Sequence, residues 1–120
     1  SYEYKDLTNN DMHVINAIGV GTKKNMSSIA KELSVTVGTL TISMNSLVKK
    51  GYVVRCRSTE DRRVVHISLS EKGIKAYEHH KHFHEQMIQG VVDTLTDEEL
   101  KALVKALTKL TSWFRSFEEN

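Results

Sequence analysis

The chain of 120 residues has no proline and one cysteine, Cys56. A single thiol excludes a disulfide-stapled scaffold and a cysteine-built zinc cage, and suits a reducing, cytoplasmic compartment. No apolar run approaches the ~18–20 residues that a membrane span requires, and no signal-peptide pattern opens the chain. Ser-His-Asp spacing, a glycine-rich phosphate loop and a carboxylate pair are all missing, so an enzyme is not expected. The absence of proline suits a mostly helical protein, and the length suits one domain of ~100–150 residues. What is present is charge, unevenly placed. Residues 23–66 hold nine Lys or Arg against three acids, hence +6, and the remainder holds eight bases against twelve acids, hence −4. A basic middle between acidic ends fits a face offered to a polyanion.

Periodicity divides the chain. Thr8 with Asp11 is a capping pattern ahead of a helical stripe of Met12, Val14, Ile15 and Ile18, closed by Gly19 and Gly21. A short helix over Ser28–Leu33 follows, capped by Asn25 or Ser27, then a turn at 34–36. Thr36 caps the next helix, whose Leu40, Met44, Leu47 and Val48 face inward until Lys49-Lys50-Gly51 ends it. The period then changes to two. Residues 52–56 and 64–69 read as strands of a β-hairpin with a long basic tip. Ser70 caps a long helix running to about Leu95, and Thr96 with Glu99 opens the last one. In that helix Leu100, Leu103, Leu107, Leu110, Phe114 and Phe117 form a seam of nearly three heptads, expected to meet a partner helix.

Two short helices on a tight turn, followed by a basic hairpin, predict a winged helix-turn-helix with long C-terminal dimerisation helices. The fold class is therefore mainly α with a small β-hairpin. Residues 8–69 form the DNA-binding part and 70–120 the dimerisation helices of a single domain. A recognition helix needs an apolar inner face and small polar side chains at its outer N-terminal end, where free N–H groups attract phosphate. Ser27, Thr36, Gly38, Thr39 and Thr41 suit phosphates or close approach, Ile42 a thymine methyl, and Asn45 a bidentate pair with adenine. Lys49, Arg55 and Arg57, with Lys23 and Lys24, would position the domain on phosphates. Arg62 and Arg63 at the tip suit the minor groove, with Asp61 orienting a neighbouring arginine. Double-stranded DNA is the expected partner.

The segment from Glu60 to Gly73, with Asp61 and Arg63 at its tip and Leu69-Ser70-Glu71-Lys72-Gly73 at its end, resembles the wing signature of the MarR family of bacterial transcription regulators. Leu47 through Val53 resembles the exit of that family's recognition helix, and the likeness covers nearly the whole chain. Further stretches, Lys31-Glu32-Leu33, Val35 to Thr39, Arg55 to Ser58 and His80 to His84, are similar to the family's repressors of fatty-acid synthesis. Ile42 departs from that subgroup, where threonine is usual. The resemblance implies a homodimeric, nucleoid-bound repressor of a palindromic operator, with a long-chain acyl group on acyl carrier protein as corepressor and no other cofactor. It also implies an N-terminal helix completing the dimer, expected to precede the polar stretch Ser1–Asp6.

On that resemblance Met12, Ile15, Ile18, Met44, His80, Phe83, His84 and Met87 are candidates to touch the acyl chain. His80 and His84 share a helix face, as do His79 and His82, but within the segment only Glu78 or Glu85 could add to either pair, further ligands would have to come from elsewhere, and no metal is assigned. Cys56 is expected to be buried and inert. The alternatives are a MarR-type repressor released by a small lipophilic ligand or responding to zinc, and a winged-helix module that binds protein.

Overall fold

Among the described residues five helices each begin at a polar side chain that takes up free backbone N–H groups, and these caps set the architecture. A computed structural model describes residues 4–118. In chain order the elements are α1 (Asn9–Ile18), α2 (Met26–Leu33), α3 (Val37–Lys49), β1 (Val53–Arg57), β2 (Val65–Leu69), α4 (Glu71–Val92) and α5 (Asp97–Glu118). Thr8 accepts from the Asp11 amide at 3.0 Å while Asp11 accepts from the Thr8 amide at 3.1 Å, a reciprocal box opening α1. Thr96 and Glu99 repeat it at α5, at 3.0 and 3.1 Å. Thr36 caps α3 through the Thr39 amide, and Ser70 caps α4 through the Gly73 amide, both at 3.1 Å.

The second helix starts at Met26, two residues before the expected Ser28, because Asn25 is its cap and accepts from the Ser28 amide at 2.8 Å. Ser27 therefore lies inside the first turn. The long helix stops at Val92 rather than Leu95. The amides of Thr94 and Leu95 bond three residues back, at 3.0 Å each, and tighten the chain out of α-geometry.

The chain divides into two compact units, meeting in sequence between His82 and Phe83. That division falls inside α4 rather than at Ser70, because the first turns of α4 pack on the wing. Gly73 and Ala76 are buried there, and a Cβ on Gly73 would stand 2.0 Å from the Tyr52 carbonyl oxygen. Only glycine permits that approach.

In the first unit α1, α2 and α3 pack around Val14, Ile15, Ile18, Ile29, Leu40, Met44 and Leu47, joined by Tyr52, Val53, Ile67 and Leu69 from the hairpin. The two strands are antiparallel, Val53 opposite Leu69 and Arg57 opposite Val65. Lys24 adds a rung that the sequence did not suggest, its amide and carbonyl both bonding Ile67 at 3.1 and 2.6 Å. This ties the α1–α2 connection to the wing. In the second unit no α5 residue is buried. Among the described residues no helix is long and apolar enough to cross a membrane.

Candidate nucleic-acid interface

The interface is built on α3. Leu40, Met44 and Leu47 are at most 1% exposed and fix the helix on the core, which turns the intervening positions outward. Gly38, Thr39, Ile42, Asn45 and Lys49 are exposed, and Thr41 is half-buried. Ile42 is 75% exposed, an apolar side chain offered to solvent on the reading helix. Such exposure is costly in water and useful against a thymine methyl. A Cβ on Gly38 would meet only Thr36 Oγ1, at 3.9 Å. The fold therefore does not require glycine there.

The hydroxyls divide their work. Thr36 accepts from the Thr39 amide and donates to Thr39 Oγ1 at 3.0 Å, which leaves the Thr39 hydroxyl hydrogen for an outside acceptor. Thr41 donates back to the Val37 carbonyl at 2.8 Å, so its hydroxyl serves the helix first. Ser27 is exposed near the start of α2.

At the wing tip Asp61 grips Arg63. One carboxylate oxygen accepts from the Arg63 amide and Nε at 3.0 and 3.1 Å, and the other from Nη2 at 3.1 Å. These bonds hold the Asp61 carboxyl below the usual carboxylate range. The Arg63 side chain is 90% exposed, a guanidinium held in one direction but open to a ligand. Arg57 donates to the Arg62 carbonyl at 2.5 Å and braces the base of the tip. Arg55 reaches from β1 to α3 and donates to the Asn45 carbonyl oxygen, so wing and recognition helix are linked by side chains.

Lys24, expected on phosphate, donates instead to the Ala17 carbonyl at 2.6 Å and pairs with Glu32 at 3.3 Å. A second lysine is structural too. Lys50 pairs with the buried Asp11 at 3.0 Å and donates to the Asp6 carbonyl at 2.5 Å. Tyr52 donates to Asp6 at 2.7 Å, and burial followed by that bond pushes its phenol well above the usual value. Its partner, the Asp6 carboxyl, is lowered mainly by the same bond. This network, joining segments ~40 residues apart in sequence, clamps the end of α3 to the start of α1. No sequence signal announced it.

The acyl-chain candidates of the first unit do not share one cavity. Ile15, Ile18 and Met44 are fully buried core residues, because α1 and α3 turn these positions toward each other and α2. Met12 and His80 line a cavity of about 160 Å³ with Leu7, Ala76 and His79, smaller than the ~300–1,000 Å³ of typical ligand sites. Phe83, His84 and Met87 lie in the second unit, where Phe83 and Met87 are more than half exposed. A wider cleft of about 310 Å³ is bordered by Asn10, His13, Val14, Leu33, Leu40 and Ser43. Among the described residues no three His, Cys, Asp or Glu side chains converge to hold a metal. Cys56 is exposed rather than buried, since only Val53 of β1 faces the core.

In the second unit Leu103, Leu107, Leu110, Phe114 and Phe117 are 39–68% exposed, and Leu100 is half-buried. Trp113, absent from the expected seam, joins it by stacking on Phe117 with ring centroids 5.5 Å apart. Its spacing, three after Leu110 and four before Phe117, was there to be read.

A profile of the SarA/Rot transcriptional regulators matches residues 2–80. The regulator SarZ of Staphylococcus haemolyticus is 35% identical over 107 residues, 89% of this chain and 71% of that protein. Among solved structures, Streptococcus pneumoniae FabT in complex with DNA superposes with a TM-score of 0.88 at 40% identity, covering 95% of this chain and 80% of that one. Staphylococcus aureus MepR in complex with DNA gives a TM-score of 0.67 at 28% identity over 93% and 83% of the two chains. MepR bound to ethidium bromide gives 0.73 at the same identity. Winged helix, exposed recognition face and relatives agree: the chain belongs to the MarR/SarA-type transcriptional regulators, which bind DNA.

Proposed function

We propose that this protein is a homodimeric, sequence-specific repressor of fatty-acid-synthesis genes whose DNA affinity rises when it binds a long-chain acyl group on acyl carrier protein. The observation that carries this reading is the likeness to FabT in its DNA complex, 40% identical across 95% of this chain. The uncovered apolar face of α5 supports a dimer, because a patch of that size is unstable in water. Two copies would set their α3 helices in successive major grooves, ~34–36 Å apart. Ligand acts by favouring the dimer geometry that fits this spacing. A long acyl chain needs more room than the 160 Å³ cavity gives, so its binding has to open the first unit or use surface outside it.

The test is a titration of a duplex from a fatty-acid-synthesis promoter with and without palmitoyl- or oleoyl-acyl carrier protein. Tighter binding with the acylated carrier, and none with the unacylated one, is expected. Binding that ignores both carriers removes the corepressor. A second reading, release by a small lipophilic molecule, is favoured by the 310 Å³ cleft beside α3 and by the likeness to MepR bound to ethidium bromide. Weaker DNA binding on adding such a cation would support it.

A further inference from the structure

Asparagine on a recognition helix reads adenine by using both ends of its amide, the oxygen accepting from adenine N6 and the nitrogen donating to N7. In this protein one end is already engaged. The Asn45 carbonyl oxygen accepts a hydrogen bond from Arg55 Nη2, across the turn that joins α3 to β1. Both side chains lie on exposed positions, so the bond faces the solvent that DNA would displace. The turn fixes the partners. The Tyr52 amide bonds the Leu47 carbonyl at 3.0 Å, the Gly51 amide bonds Val48 at 3.1 Å, and Gly51 takes a left-handed φ of 87°.

We infer that Asn45 and Arg55 act as one donor-only reading unit, which selects guanine at the position where a free asparagine would select adenine. With its oxygen held by a guanidinium, Asn45 presents its two Nδ2 hydrogens outward, and Arg55 adds its unused N–H groups. Every group on that edge is a donor. Guanine shows two acceptors in the major groove, N7 and O6. Adenine shows one acceptor beside an amino donor, and that amino group would face a cation. The oxygen retains a second lone pair, but a donor approaching it meets the positive charge already there. Arg55 is thus a specificity-determining residue, and more than a phosphate contact. The inference rests on the DNA-binding reading and sharpens it to one base.

The experiment is selection from a randomised duplex library, at low salt so that weakened variants still bind, with the wild type, Asn45→Ala and Arg55→Met. Wild type is expected to fix guanine at one symmetric pair of positions. Asn45→Ala should become degenerate there and keep its other preferences. Arg55→Met, which keeps the aliphatic stem and frees the amide oxygen, should switch those positions to adenine, with about a tenfold or larger preference. Arg55→Met that keeps the wild-type guanine would overturn the inference, because Arg55 then only holds phosphate. Loss of all selection by Arg55→Met would overturn it too, by making Arg55 the sole reader. Enrichment of no sequence by the wild type would instead remove the DNA-binding reading itself.

Discussion

Asp61 is an acid set where DNA phosphates would repel it, and its geometry explains why it is there. It accepts three hydrogen bonds from Arg63, trading a local repulsion for an arginine aimed in one direction. Coulomb repulsion alone predicts that Asp61→Asn tightens DNA binding. Orientation predicts the opposite, a loss of roughly five- to tenfold, about 1–1.4 kcal/mol, with unchanged thermal stability. Fluorescence anisotropy on a labelled operator decides the sign, and Arg63→Ala combined with Asp61→Asn should cost little more than Arg63→Ala alone. Gly38 gives a second opposition. Gly38→Ala makes only an ordinary contact with Thr36 Oγ1, at 3.9 Å, so it should stabilise the helix by about 0.5–1 kcal/mol while weakening DNA binding where the backbone approaches the groove. A raised melting temperature beside a raised Kd is the expected pair. Equal or tighter binding would show that DNA does not approach Gly38.

Elements were legible in the sequence where their determinants are local. Thr8 with Asp11, Thr36 and Thr96 with Glu99 lie three residues from their partners, and each cap formed as expected. What was not legible depends on distant pairings. Lys24 became a rung on Ile67, and Lys50 a partner of Asp11 39 residues away, because only the packed core brings them together. Lys24 itself looked like any phosphate ligand, and Lys50 like the basic last turn of a helix. The joint between wing and α4 carries two predictions. Gly73→Ala forces a methyl against the Tyr52 carbonyl, at 2.0 Å, and should cost about 3 kcal/mol in denaturant unfolding. The Tyr52 phenol is raised above its ordinary ~10 by burial and by the Asp6 bond. A raised group contributes its stability fully below the unfolded value and loses it as pH climbs. Unfolding free energy should therefore fall above about pH 10, and Tyr52→Phe should flatten that fall.

The whole molecule pairs a well-packed first unit with a second that exposes its apolar face. Leu107, Leu110, Phe114 and Phe117 are each more than half exposed, and a second copy of the chain is the partner that covers them in the proposed dimer. Leu107→Glu together with Phe114→Glu should convert the dimer to monomer in sedimentation velocity. It should also reduce operator affinity by at least a hundredfold, since one α3 helix then binds without its twin. A dimer seated on six to ten phosphates should lose roughly three to five decades of affinity between 50 and 200 mM salt. Sequence-specific DNA binding by this winged helix stands or falls on one comparison. The affinity of the protein for a fatty-acid-synthesis promoter duplex is measured against a scrambled duplex of equal length and composition, at one physiological salt concentration. A ratio of about 10³ or more is expected. Equal affinity for the two duplexes would contradict it.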